Sequence, residues 1–285
     1  QQGPCCNVPT MTPSKDWKEQ VAAGEEARFE GYAKFLAERQ KQRAGAASGS
    51  LDRGLHAKGH IGARAELTVL PNLPAHAQVG LFAQPRTFSA LVRFSNGQGK
   101  RQADGRPDVR GMAVKVLGVP GKKVIPGLED AQTQDLLMIQ SAAISFKNSD
   151  EFMFFVGAAG SPATLLPKLV WRFGLRRTLS ILGQIKNGIA KPVVSLATMP
   201  FYSALPVQFG AYAVKYAVFP AQTAASGEVA GKTADYLSDD LKERLAKGSL
   251  TFDLAVQFFC DEASTPIEDA SVLWSEEKSP YVKVA

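Results

Sequence analysis

A series of short apolar runs with little that is helical between them sets the main constraint on this chain. Ala63 to Leu70 alternates as Ala-Arg-Ala-Glu-Leu-Thr-Val-Leu, the period-two pattern of a strand with one face turned inward. Phe88 to Ser95 and Val109 to Leu117 are apolar with β-branched residues, and Leu136 to Ile139 is a short buried run. Glycines and prolines punctuate the gaps. Val207 to Phe219 alternates again, and Thr251 to Cys260 reads as a further strand. Parallel neighbours need a long crossover, usually a helix, so runs spaced like these pair antiparallel.

Helical patterns lie at the edges of this series. From Asp16 to Gln42, Trp17, Val21, Phe29, Tyr32 and Leu36 recur near a three-to-four spacing, and Ser14 or Asp16 is placed to cap the start. Asp150 to Val156, with Phe152, Phe154 and Phe155, reads as helix. Ser238 to Lys247 reads as a capped helix, with Ser238, Asp239 and Asp240 at its positive end, Arg244 and Lys247 near the other, and Gly248 as its stop. Strands followed by helices give the α+β class. Pro4, Pro9 and Pro13 mark an extended tail, and Gly45 to Ser50 is a small-residue linker. The chain thus divides into residues 1–50, a tail and helical arm packed on the domain or on a partner chain, and residues 51–285, the main domain.

Composition narrows the function. At 285 residues with 45% hydrophobic residues, the chain is long enough for a sizeable core. A net charge of +6 favours anionic ligands or an anionic surface, but the basic residues are scattered, so no nucleic-acid partner is expected. Cys5, Cys6 and Cys260 make neither a disulfide framework nor a zinc site. No signal peptide and no apolar stretch of membrane-spanning length is present; the chain begins Gln1-Gln2, and its compartment stays open.

The chemistry concentrates in the loop Arg53-Gly-Leu-His56-Ala-Lys-Gly59, which holds one of the chain's three histidines, with His60 just beyond. Histidine exchanges protons near neutral pH, and an arginine three residues earlier suits an acidic ligand group. As a pair, His56 and His60 have the spacing of two metal ligands on a helix, but Gly54, Gly59 and Gly62 argue against a helix and no third ligand is evident. His76, between Pro74 and an alanine-rich turn, reads as a surface residue. Further on stand Leu91-Val-Arg93-Phe94-Ser95-Asn96 and Asp108-Val-Arg110-Gly111-Met-Ala-Val-Lys115.

These three pieces, in this order, resemble the haem catalase superfamily, which carries an Arg-x-x-His-Ala-Lys-Gly loop, a Val-Arg-Phe-Ser strand and an Asp-x-Arg-Gly-x-Ala-Val-Lys strand. The resemblance is strong over residues 51–117, patchy from there to 285, and absent before residue 50. The chain is short for a full catalase, so it is most similar to the compact branch of minimal catalase-like peroxidases and catalase-related allene oxide synthases. The resemblance implies a catalase-like antiparallel β-barrel with an N-terminal helical arm and added helices, binding haem b and acting on hydrogen peroxide or on organic or lipid hydroperoxides. It implies His56 as the distal proton shuttle, Ser95 as its orienter, Arg53 and Arg93 as anchors of the haem propionates, and Phe152 as a wall of the distal haem face. Arg110 reads as structural. Leu55, before the histidine, is as apolar as the valine of ordinary catalases, which favours peroxidase or catalase activity over allene oxide formation. The chain departs from the pattern in two places. No distal asparagine stands in Leu137 to Phe146, where Gln140 is the nearest amide. No Arg-x-x-x-Tyr motif follows Thr251, so the domain is expected to lack the segment bearing the proximal tyrosine, with Tyr281 a weak candidate for that metal ligand. The alternative implied by that departure is a haem-free barrel that binds an apolar or lipidic ligand or serves a structural role.

Residues 161–199 mix apolar residues with Lys168, Arg172, Arg176, Arg177 and Lys186. They read as a core helix with a solvated basic edge, or else as a surface that lies on an anionic membrane or guides a fatty-acyl carboxylate. A homo-oligomer formed through the N-terminal helix is a further expectation, by analogy.

Overall fold

The alternating runs become neighbours in one curled sheet. A computed structural model describes residues 12–46, 53–159, 162–189, 192–221 and 233–285. The Cys5-Cys6 pair and most of the expected 45–50 linker lie outside the described residues. Strands β1 (Gly59–Thr68), β2 (Thr87–Asn96), β3 (Arg110–Leu117) and β4 (Thr133–Ile139) pair antiparallel in sequence order. The sheet continues through β5 (Phe201–Tyr202), β7 (Tyr212–Pro220), β8 (Phe252–Phe258) and β9 (Val282–Lys283), with β6 (Val207–Phe209) folded onto β7. The Leu70 N–H, just past β1, donates to the Val284 carbonyl, just past β9, at 2.9 Å, which draws the two ends of the sheet together.

Alternation decides which side chains face inward. Phe88, Ala90 and Phe94 of β2, Met112, Val114 and Val116 of β3, and Leu136 and Met138 of β4 are buried. They meet Val214, Val218, Leu254, Val256 and Phe258 in one apolar core. Each such side chain contributes on the order of 1.5–3 kcal/mol by leaving water. The run from Val207 to Phe219, expected as one alternating stretch, is a hairpin of β6 and β7. Gly210 turns it at φ 61, and a Cβ there would meet Val79 Cγ1 at 2.6 Å, so only glycine fits.

The helices depart from expectation at their starts. Helix α1 (Glu25–Ala46) begins nine residues after Asp16, so neither Ser14 nor Asp16 caps it. Gly24, at φ 69, sets a left-handed turn just before the helix. Trp17 instead joins a small cluster with Ala213, Phe259 and Trp274, and its Nε1–H donates to the Ala211 carbonyl at 3.0 Å. The arm packs on its own chain: Tyr32 donates to Asp150 at 2.6 Å, and Arg39 donates to the Val156 carbonyl at 2.6 Å. Both partners belong to α2 (Ser149–Ala158), which Asn148 caps by accepting from the Glu151 N–H. Helix α3 (Pro162–Ile189) breaks at Gly174, φ 75, and Arg177 ties it to Glu151 of α2 at 2.6 Å. Helix α4 (Tyr236–Lys247) starts two residues before Ser238, and no side chain of its own first turn caps it. The Leu237 N–H donates instead to Asp104 Oδ2 at 3.0 Å, a carboxylate brought in from the loop between β2 and β3. Gly248 ends the helix as expected, its N–H bonded to the Arg244 carbonyl. Among the described residues no helix is long and apolar enough to cross a membrane.

Candidate active site

The site lies on the outer face of the sheet, away from the core. Strand register sets two adjacent rows across β2, β3 and β4: Ser95, Gly111 and Ile139 in one, Arg93, Ala113 and Leu137 in the other. These positions alternate with the buried ones, so their side chains stand on the opposite side from Phe94, Met112 and Met138. Leu137 is 65% exposed, an apolar side chain in line with Arg93.

His56 lies over the first row. Its backbone is left-handed, φ 54, which a histidine adopts only when held there. Two main-chain bonds hold it, from the His56 N–H to the Gly97 carbonyl at 2.9 Å and from the Ala57 N–H to the Gln98 carbonyl at 3.1 Å. The ring bonds Ser95 Oγ through Nδ1 at 3.0 Å. A Cβ on Gly111 would stand 2.8 Å from His56 Cε1 and 3.0 Å from Nδ1. The glycine of the Asp-x-Arg-Gly motif is therefore what lets the imidazole lie flat on β3. Nε2 makes no hydrogen bond among the described residues. Burial lowers the His56 pKa from its ordinary 6.5, and the charges of Arg93 and Arg53 lower it further. The ring is thus held neutral at pH 7, the form that accepts a proton.

The two arginines stand near one another. Burial lowers the Arg93 pKa, and the charge of Arg53 adds to that. Among the described residues neither guanidinium has a carboxylate within ion-pair distance, unlike Arg177, Arg244 and Arg28. Two positive forks without an ion-paired carboxylate among the described residues, with an exposed apolar row beside Arg93 and a neutral imidazole nearby, fit a flat apolar ligand that carries carboxylates, as haem does.

Behind the loop sits a buried polar network with a different character. Lys58 Nζ donates to Asp104 Oδ1 at 2.6 Å, to the Gln102 and Ala234 carbonyls, and pairs with Asp235 at 2.8 Å. Burial pulls the Lys58 pKa down, but its bonds to Asp104 and Asp235 outweigh burial and leave it raised. His60 bonds Asn96 Oδ1 through Nε2 at 2.7 Å and faces Ser238 Oγ through Nδ1 at 3.4 Å. Arg110 donates to Asn96 Oδ1 and, at 2.7 Å, to the Asp104 carbonyl, a scaffold role consistent with its reading as structural. Sequence reasoning passed over Lys58 and Asp104. Lys58 stood inside the quoted loop motif, and that position was the available signal.

The remaining named residues lie outside the immediate constellation. Phe152, in α2, packs edge-on against Phe146 at 5.6 Å, and its described contacts do not include His56. Gln140 has both amide atoms engaged with main chain: Oε1 accepts from the Arg110 N–H at 2.9 Å, and Nε2 donates to the Gly188 carbonyl at 2.6 Å. It borders a cavity of about 360 Å3 between the end of α3 and residues 192–199. Tyr281 packs on Phe219 at 5.1 Å and on Tyr202 at 6.5 Å; burial, with Tyr202 and Glu276 nearby, pushes its phenol well up, away from the phenolate a metal ligand needs. His76 is half-buried, edge-on to Phe258 at 4.8 Å, and so is not the free surface residue its alanine-rich context suggests.

This architecture is that of catalases. The chain superposes on a fungal catalase with a TM-score of 0.62 and 19% identity, covering 98% of this chain and 55% of that one. A bacterial catalase gives 0.61 and 19%, with 99% and 55% covered, and catalase A from Saccharomyces cerevisiae gives 0.63 and 17%, with 98% and 57% covered. The fold is therefore a catalase-like α+β barrel, and the chain spans little more than half the length of those catalases. No family model matches the chain. A catalase-related peroxidase of Mycolicibacterium paratuberculosis (strain ATCC BAA-968 / K-10) is 30% identical over 237 residues, 78% of this chain and 69% of that protein. The chain belongs to the catalase superfamily, in its compact catalase-related branch.

Proposed function

We propose that the chain is a haem-dependent, catalase-like peroxidase that reduces hydrogen peroxide or organic or lipid hydroperoxides, with His56 on the distal side of the haem. The observation that carries this reading is the His56 imidazole: neutral, pinned at Nδ1 by Ser95, laid flat on Gly111 and open at Nε2. Arg53 and Arg93 would hold the two carboxylates of haem b, with Ala113 and Leu137 beside them as an apolar floor. Haem, when bound, supplies the electrons that reduce the O–O bond. His56 does the proton work. In the tautomer whose Nδ1–H donates to Ser95 Oγ, Nε2 carries a lone pair that takes the proton from one peroxide oxygen and returns it to the other, which leaves as water or alcohol. Fixing one ring nitrogen decides which atom acts, so Ser95 positions the base without touching substrate. The name of the 30% identical relative agrees with this chemistry.

The test is reconstitution of the full protein with haem, followed by visible spectra and peroxidase assays with hydrogen peroxide and an organic hydroperoxide. A Soret band with turnover is expected, and His56→Ala should lose on the order of a hundredfold or more. A variant as active as wild type would remove His56 as the base. No Soret band would remove the redox reading and leave a catalase-shaped binding barrel. Arg53→Gln with Arg93→Gln should weaken haem retention while the fold stays intact.

A further inference from the structure

Helix α3 carries a surface that the peroxide chemistry does not use. Its buried side is Leu169, Thr178 and Ile181, each at 0% exposure. Among its exposed side chains, Leu166 (50%) and Trp171 (83%) precede the break at Gly174, and Leu175 (61%) and Leu179 (59%) follow it. Lys168, Arg172 and Arg176 recur at every fourth position along the same stretch, and all three are exposed. Among the described residues none of these three cations has an ion-pair partner, whereas Arg177 is committed to Glu151. No aspartate or glutamate occurs anywhere in α3. Leu169, Thr178 and Ile181 fit the reading of a core helix with a solvated basic edge, but Trp171 is among the most exposed large apolar side chains described, and cations flank it.

We infer that this face of α3 docks on an anionic lipid surface. An exposed tryptophan and leucines interleaved with cations that lack ion-pair partners, on two helical stretches that meet at Gly174 and hold no acid, match an interfacial segment whose apolar residues enter the headgroup boundary while its cations meet lipid phosphates. A protein groove would accept the leucines, but it gives no reason for the absence of acids or for three cations without ion-pair partners among the described residues, of which Arg172 alone lies over a ring, that of Phe173. The contact is peripheral, since no described helix is long and apolar enough to span. It is independent of haem and of the redox reading.

The test is co-sedimentation of the full protein with vesicles of phosphatidylcholine containing about a third phosphatidylglycerol, against pure phosphatidylcholine. Binding to the anionic vesicles alone, weakened by salt, is expected, together with a blue shift of tryptophan emission that Trp171→Phe abolishes. Lys168→Gln/Arg172→Gln/Arg176→Gln should weaken partition roughly a hundredfold, since each cation near an anionic surface is worth about fivefold. Trp171→Ser/Leu175→Ser/Leu179→Ser should abolish binding, with peroxidase activity toward hydrogen peroxide unchanged. Wild type left in the supernatant, or the serine variant bound as tightly as wild type, overturns the proposal. So does a wild-type dimer that the serine variant turns into a monomer without any vesicle binding, which would make the face an interface between copies.

Discussion

His56 and His60 stand four residues apart, one in the loop and the other at the start of β1, and the structure gives them opposite fates. His56 bonds Ser95, which faces outward from β2; His60 bonds the next residue, Asn96, which faces the buried side. One step along a strand separates a ring with one nitrogen free from a ring with both nitrogens facing partners. Burial leads the lowering of both pKa values, so acidity alone does not distinguish them. What distinguishes them is access: His56 is half-buried with an open Nε2, and His60 is 6% exposed and closed in by Asn96, Ser238 and Asp104. A histidine that ends its own hydrogen-bonding needs inside the fold is scaffold, and one left a nitrogen short is available for chemistry.

The comparison breaks most sharply at Asp104. Its carboxylate holds Lys58, faces His60 and caps α4 through Leu237, with its side chain wholly buried. Asp104→Ala leaves a buried cation with less compensation and an uncapped helix, so urea denaturation should show a loss of about 3–5 kcal/mol. His56→Ala, by contrast, should change stability by about 1 kcal/mol or less while removing peroxidase activity. Equal destabilisation by the two changes would erase the division between scaffold and site.

Gly111→Ala sharpens it from the other side. The added methyl would stand 2.8 Å from His56 Cε1 and 3.3 Å from Ser95 Oγ, so the imidazole must lift off β3. The expected outcome is activity down by about tenfold or more at a stability cost of roughly 1–3 kcal/mol, the range for an overpacked contact. The His56 ring signals in an NMR spectrum should move while those of His60 stay. Ser95→Ala is milder. It removes one hydrogen bond of about 1 kcal/mol, so peroxidase turnover should fall between a few-fold and about tenfold with little change in unfolding midpoint.

Much of this was legible in the chain because it is local. Alternation marked Ala63 to Leu70 as a strand before any pairing was known, and the loop and strand motifs marked His56, Ser95, Arg53 and Arg93 through the family resemblance. What stayed hidden depends on residues far apart in sequence. The start of α4 is set by Asp104, which reaches it from another loop, so Ser238, Asp239 and Asp240 suggested a cap that the fold does not use. Trp17 finds Ala213, Phe259 and Trp274 and so stands outside the helical pattern it fits, and α1 begins only after the left-handed turn at Gly24. The apolar row of Ala113 and Leu137 beside Arg93 exists only in the register of three strands. Gly111 was visible as a motif glycine, but its reason, an imidazole lying on its bare Cα, needed the loop folded over the strand.

The smallest expected effect separates the two histidines by charge. Arg93 is second only to burial in lowering the His56 pKa, whereas His60 answers to Asn96, Asp104, Arg110 and Lys58. In Arg93→Gln, an NMR titration of the haem-free protein should place the His56 midpoint nearer 6.5 than in wild type, still below it because burial remains, and leave His60 where it was. The same shift sets a sign for stability. A histidine depressed in the folded state binds fewer protons there than when unfolded, so its contribution is full above 6.5 and is lost as the pH falls through the folded value. Arg93→Gln should therefore flatten the acid side of the stability profile slightly, and by less than one hydrogen bond's worth. A midpoint that did not move, or one that moved for His60 as well, would mean that the outward row and the buried network share one electrostatic environment, and that position on the strand is not what divides them.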